Sequence, residues 1–343
     1  MSANPANPAN VVPMIVPDDV DFKRYMRESE HRAKVRPAAN WRSALERLCD
    51  EPHRVTGAKL PWSCTHDNVR FRPGEVTLWA GENGSGKSQL LGFVTLALAA
   101  QNERTCIASF EMAPIATLSR MLRQAATTDK PSREFAGRFA SWTTGRLWIY
   151  DHRGRVLPQQ LYAVLRYCAD QLQMRHVIID SLMKCVGGED DYNGQKDFVH
   201  ALTVLAADLQ MHIHLVHHVR KGDDDREDKP RGKNAIKGSG SIVDQVDQAI
   251  IVWRNRPKER AVQQALHRGK DVDVETAKKP DTLLLVEKNR HGEWEGRVPL
   301  WYLPESLQYV AAPFGRPIEL VGMLDAPEPS VGELIAGDDE VEA

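Results

Sequence analysis

From residue 76 onward, short and almost wholly apolar runs alternate with longer stretches of helical periodicity. The apolar runs are Val76 to Ala80, Thr105 to Phe110, Leu147 to Tyr150, Val177 to Asp180, Ile213 to His217, Ala249 to Trp253 and Leu283 to Val286. Runs of this length without polar alternation predict strands buried on both faces. Between them, helices are predicted over Lys87 to Ala100, Ile115 to Ala126, Ser132 to Ser141, Pro158 to Leu172, Gln195 to Leu209 and Ser239 to Val246. Strand and helix in alternation predict an α/β fold, with a mostly parallel central sheet and helices on both faces. Ligands of such sheets lie at the carboxyl ends of the strands, so the residues that end each run carry the chemical interest.

The flanks read differently. Residues 1–19 are rich in Pro, Asn and Ala with an NPANPAN repeat, a composition expected to be disordered. Asp21 to Arg36 sets Phe22, Tyr25, Met26 and Ala33 among many charges, which predicts a marginal amphipathic helix in need of a partner surface. A second helix is predicted over Trp41 to Cys49, and Arg72-Pro73-Gly74 turns the chain into the first core strand. The last residues are acidic and poor in apolar side chains. The expected organisation is therefore a disordered start at 1–19, a helical linker at 20–56, an α/β core domain at 57–315 and a disordered acidic tail at 316–343.

Composition narrows the classes further. The chain has 343 residues, 42% of them apolar, enough for a sizeable core. No run approaches the length of a membrane span, and the N-terminus lacks the basic and apolar regions of a signal peptide, so a cytoplasmic protein is expected. In a phage-encoded protein that would be the host cytoplasm. Five scattered cysteines suggest neither a disulfide framework nor a zinc site. The net charge of −2 gives no overall basic footprint, so contact with nucleic acid requires a local patch or a channel built by several subunits.

The segment Gly81-Glu82-Asn83-Gly84-Ser85-Gly86-Lys87-Ser88, followed by Gln89, fits G-x-x-x-x-G-K-[ST] between a predicted strand and a predicted helix. Glycines let backbone N–H groups turn around phosphate oxygens, Lys87 supplies a point charge, and Ser88 can ligate Mg2+. This motif in this context predicts nucleoside triphosphate binding. Asp180 ends its strand as does the metal-holding acid of P-loop ATPases; taken alone it would read as a helix cap. Ser181 rather than Glu follows it, so the water-activating base must lie elsewhere. Glu111, at the end of the strand after the P-loop helix, is the best candidate, against a reading as a helix N-terminal carboxylate before Pro114.

His217 and His218 end the next strand at the same edge, where a polar side chain can sense the γ-phosphate. No Cys or His cluster supports metal ligation there. Residues 220–237 form a long mixed-charge segment containing Arg220, Lys221, Arg226, Lys229, Arg231, Lys233 and Lys237. It reads either as a solvated loop or as a mobile loop whose cations meet DNA phosphates. Lys288 and Arg290 place two cations at a late strand end.

The order GENGSGKS, SFEM, HVIIDSL, HLVHHVRK, IKGSGSIVDQVDQAIIVWRN and LLLVEKNRHGEWEG resembles the RecA-like helicase domain of the DnaB family of replicative helicases. It is most similar to the helicase half of podophage primase-helicases and mitochondrial Twinkle, over roughly residues 59–310. The resemblance implies a ring, hexameric or heptameric, that hydrolyses ATP or dTTP with Mg2+, moves on single-stranded DNA and separates strands 5′ to 3′ during replication. It implies that Lys87 and Ser88 bind phosphate and metal, that Glu111 activates water, that Asp180 holds the metal, and that His218 senses the γ-phosphate. Lys288 and Arg290 fall where the family presents a Lys and an arginine finger to the neighbouring subunit's nucleotide. Residues 220–237 match the DNA-binding loop of the central channel, and Gly238, Ser239 and Gly240 open the helix behind it. The helix near Phe22 to Lys34 matches the linker helix that packs on the adjacent subunit.

Departures are specific. No primase module precedes the core, which implies a separate primase beside a DNA polymerase and a single-strand-binding protein as replication partners. The acids Asp223 to Asp225 weaken the proposed DNA loop, the tail lacks a terminal aromatic, and Trp301 and Tyr302 fall near the family's base-stacking aromatic. The rival reading is a non-unwinding RecA- or RadA-like recombination or regulatory ATPase. A monomeric small-molecule kinase is disfavoured, because it has no use for trans-acting cations.

Overall fold

The computed structural model describes residues 37–50, 56–188, 190–219, 230, 232, 239–292 and 294–320. The expected helix at 21–36, the loop cations Arg220, Lys221, Arg226, Lys229, Arg231, Lys233 and Lys237, Gly238, and the acidic tail beyond 320 lie outside these residues. The chain divides into two compact units at residue 54. In the first, a 3-10 turn at Ala38–Trp41 leads into helix α1 (Arg42–Asp50), where Arg42 donates to Glu46 one turn on. Trp41 and Leu45 are exposed on it.

The second unit holds a short ladder of β1 (Ala58–Lys59) and β2 (Arg70–Phe71), and a nine-stranded sheet. The sheet contains β3 (Val76–Gly81), β4 (Thr105–Ser109), β5 (Leu147–Ile149), β6 (His176–Asp180), β7 (His212–His218), β8 (Gln248–Arg254), β9 (Thr282–Asn289), β10 (Gly296–Leu303) and β11 (Gln308–Val310). Their order is β11-β10-β9-β8-β3-β7-β6-β4-β5. Pairing is parallel from β8 to β5 and antiparallel from β8 through β11. Every residue of β3 and β4 is buried, as their unbroken apolar runs require.

Helices α2 (Lys87–Ala100), α3 (Pro114–Ala126), α4 (Arg133–Thr143), α5 (Pro158–Asp170), α6 (Tyr192–Leu209) and α7 (Ser239–Gln245) supply the crossovers and cover both faces. Helix α2 runs under the sheet rather than along the surface, so its sequence LLGFVTLALAA is apolar all round and buried throughout. It stops at Gln101, whose amide donates to the carbonyls of Lys59 and Ala97. Side-chain caps start α4, where Ser132 accepts from Phe135 N, and α6, where Asp191 accepts from Gly194 N.

A row of buried polar groups crosses the amino-terminal ends of these strands. Thr77 Oγ1 bridges His212 and Gln248, while His176 contacts His214 at 3.2 Å, and Trp79 donates to His214. Burial holds all three histidines below their usual pKa, that of His212 at about 4. They are structural imidazoles, remote from the carboxyl edge.

Beyond the expected elements, the structure adds the β10–β11 hairpin and two helices, α8 (Arg256–His267) and α9 (Val274–Lys278). The hairpin escapes a search for apolar runs because β10 buries only alternate residues, Val298 and Leu300, and carries Pro299 on its other face. Helix α8 reads RPKERAVQQALH and is mostly solvated. Asn255 caps it, its side chain accepting from Lys258 N.

Candidate nucleotide-binding and hydrolysis site

The P-loop leaves the end of β3 between two neighbours that dictate its glycines. A Cβ on Gly81 would lie 2.6 Å from Val252 O, and one on Gly86 would lie 2.5 Å from Tyr309 Oη. Gly86 also has φ of +90°, which L side chains rarely adopt. The turn ends directly in α2, so the helix N-terminus points into the loop. Lys87 Nζ donates to the carbonyls of Gly81 and Glu82 at 2.8 and 2.9 Å. Burial lowers its pKa to about 8, opposed by the charges of Asp180, Glu111 and Glu82. Phosphate oxygens reaching this ammonium would raise its pKa again and take over its bonds.

Parallel pairing brings the acids to the same edge. Ser109 lies opposite Asp180, and Phe110 N donates to Asp180 O, which carries Glu111 to the mouth of the loop. Ser88 Oγ donates to Asp180 Oδ2 at 2.5 Å. Burial raises the Asp180 pKa, Ser88 lowers it, Glu111 raises it and Lys87 lowers it again. A hydroxyl and a partly buried carboxylate in contact are hard oxygen donors that fit Mg2+, and a cation there would offset the burial penalty on Asp180. Glu111 is half-exposed, with Lys184 Nζ 3.5 Å away. His218 lies opposite Gly81 in the β3–β7 ladder, and Val219 N donates to Gly81 O. Thus Lys87, Ser88, Asp180, Glu111 and His218 converge on one edge.

A cavity of about 560 Å³ opens beside the loop, with Gly86 and Gln89 on one wall and Arg254, Lys258, Tyr302 and Tyr309 among its other lining residues. The two tyrosine rings are 5.3 Å apart. Arg254 donates to Gly84 O and pairs with Glu259, while Arg256 donates to Asn83 O. Lys258 is buried on Asp281 at 2.8 Å. Of the two aromatics noted in the sequence, Tyr302 lines this cavity and Trp301 donates to Lys278 O. Arg254, Arg256, Lys258 and Tyr309 were missed. Only Arg254 left a signal, as the arginine of the WRN triplet.

Lys288 and Arg290 are not brought to this edge. Strand β9 runs antiparallel, so Asn289 lies opposite Gln248, which lies opposite Thr77 near the start of β3. Four residues of strand, about 13 Å, separate Thr77 from Gly81 along β3. Lys288 Nζ donates to Val243 O and Asp244 O, and Arg290 to Asp244 O and Asp247 Oδ1. Of the loop reading, only the backbone of Ser239 and Gly240 is described, as the first turn of α7. Among the described residues no group of three or more His, Cys, Asp or Glu could hold a metal, and no helix is long and apolar enough to cross a membrane.

A family model described as an AAA domain matches residues 65–224. The replicative DNA helicase DnaB of Leifsonia xyli subsp. xyli (strain CTCB07) is 26% identical over 240 residues, covering 65% of this chain and 49% of that protein. The chain therefore matches about half the length of that curated relative. Among solved structures, an isolated ATPase domain superposes with a TM-score of 0.65 at 14% identity, covering 80% of this chain and 99% of that one. A DnaB-like replicative helicase, described with its interactions with primase, gives 0.64 at 14% identity, covering 84% and 71%. The fold is that of RecA-like helicase ATPase domains, and the proteins this chain resembles are the DnaB-like replicative helicases.

Proposed function

We propose that this chain is the NTP-hydrolysing motor of a replicative DNA helicase, a homohexamer or heptamer that moves on single-stranded DNA and separates the duplex. One observation carries the reading: the P-loop and the Lys288/Arg290 pair sit on opposite edges of one sheet. A finger that cannot reach its own chain's nucleotide has a use when copies stack in a ring, each offering its amino edge to the next P-loop.

In this mechanism Lys87 and the loop amides hold the β- and γ-phosphates, and Tyr302 and Arg254 flank the base of ATP or dTTP in the adjoining cavity. Ser88 and Asp180 would hold Mg2+, which supplies positive charge against the phosphates. Glu111 takes a proton from the attacking water, and Arg290 of the neighbouring copy stabilises the charge of the transition state. His218, beside Gly81 at the start of the 220–237 segment, relates the γ-phosphate to that segment. DNA phosphates would meet its cations Arg220, Lys221, Lys229, Arg231, Lys233 and Lys237, with Gly238, Ser239 and Gly240 following. A primase, a DNA polymerase and a single-strand-binding protein complete the expected assembly.

Arg290→Ala should leave nucleotide binding intact and suppress turnover by about 10³-fold or more. Single-stranded DNA should stimulate wild-type hydrolysis, with a stimulation that weakens steeply as salt rises. Normal turnover in the variant would remove the shared site. A ring with no DNA response would favour the non-unwinding RecA-like class.

A further inference from the structure

The motif DQVDQAI contains two acids, and the hydrolytic site uses neither Asp244 nor Asp247. Asp247 lies between α7 and β8 and is tied on two sides. Toward β3, its Oδ2 accepts from Val76 N at 2.9 Å while its own N donates to Val76 O at 3.0 Å. Toward the finger, its Oδ1 accepts from Arg290 at 3.1 Å while its carbonyl accepts from Arg290 N at 2.9 Å. The Asp247 side chain is only 12% exposed, whereas that of Arg290 is 45% exposed. One carboxylate thus joins an outward-facing arginine to the first residue of the strand that ends in this chain's own P-loop.

The surroundings make that carboxylate the anchor. Glu75 and His291 also face it, with His291 Nε2 4.0 Å from Asp247 and 3.8 Å from Glu75, and Arg72 pairs in turn with Glu75 at 3.6 Å. The remaining Arg290 bond goes to the carbonyl of Asp244, which it shares with Lys288. A flexible arginine held by one neutral carbonyl keeps many rotamers; a part-buried ion pair with a second backbone bond selects one.

Resting on the shared-site reading, we propose that Asp247 is the positioning residue of the trans-acting arginine. It registers Arg290 on β3, so that the finger offered to a neighbour is held by the strand that carries this chain's own phosphate loop. Asp247 does not touch nucleotide; it acts through Arg290.

The test uses full chains with single-stranded DNA present. Asp247→Asn keeps an oxygen for Val76 N and loses the charge facing the guanidinium. It should lower turnover about 10²-fold, the scale of a misplaced catalytic group, with little change in nucleotide KM. In an Arg290→Ala background it should cost nothing more. Rings reassembled with Lys87→Ala chains, whose finger edge is intact, should recover hydrolysis for Asp247→Asn and for Arg290→Ala alike. Rescue of Arg290→Ala without rescue of Asp247→Asn would place Asp247's effect inside its own chain and overturn the proposal. Failure of both would remove the shared site itself. Should Asp247→Asn fail to bind nucleotide, Asp247→Glu keeps the charge and should stay within a few-fold of wild type. A loss as deep as that of Arg290→Ala, with binding intact, would overturn the proposal.

Discussion

Glu111 and Asp180 are two carboxylates at one strand edge with different surroundings, and the difference separates their roles. Asp180 is partly buried and bonded to Ser88, a setting that suits the proposed metal ligand, whereas Glu111 is half-exposed beside Lys184, where water can reach it. Glu111→Gln should therefore retain nucleotide and Mg2+ affinity while losing about 10² to 10⁴ in turnover, read as kcat and KM separately. Glu75 makes a second residue-level prediction. Burial is the main cause that raises its pKa from 4.5 to about 7, with Arg72 opposing and Asp247 adding to the rise. The native state thus holds this proton more tightly than the unfolded chain. Its contribution to stability is complete below about pH 4.5 and is lost as pH rises through about 7. Glu75→Gln should match wild type in thermal midpoint near pH 4.5 and exceed it at pH 8; parallel curves would refute this.

At the scale of elements, the most legible strands and the P-loop helix were those with unbroken apolar runs. The apolar runs of β3, β4, β6, β7 and β8 and the helix Lys87–Ala100 could be read directly, because each is buried on all sides. What escaped was structure whose reason lies in its neighbours. The β10–β11 hairpin closes over the P-loop helix through Trp62, which donates to Tyr309 O, and through Gln308, which donates to Gln124 O. Trp62 and Gln124 both lie far from the hairpin in sequence. The hairpin and the end of β8 build the cavity beside the loop, so beyond Gly86 and Gln89 of the P-loop segment its lining was legible only at Tyr302 and at Arg254 of the WRN triplet. Tyr302→Ala should remove a ring contact of about 1 kcal/mol, raising nucleotide KM about fivefold with kcat unchanged. An unchanged KM would remove the base from that cavity.

For the whole molecule, the informative quantity is the separation between phosphate loop and finger. The residues of both were visible in the sequence, as GENGSGKS and as Lys288 with Arg290. Their opposition was not, because it depends on β9 running antiparallel to β8, and strand direction is set by tertiary pairing rather than by local pattern. Under the proposed function, one chain would carry two half-sites facing opposite ways, a heterologous arrangement that gives a ring when its rotation closes. The most direct test is the mass of the full chain in solution with Mg2+ and a non-hydrolysable nucleotide. The shared-site account predicts assemblies of six or seven times the mass of one chain, with assembly extending to the Arg290→Ala variant, whose loss is in turnover. A particle that remains a single chain at concentrations where DNA-stimulated hydrolysis is fully active would contradict it.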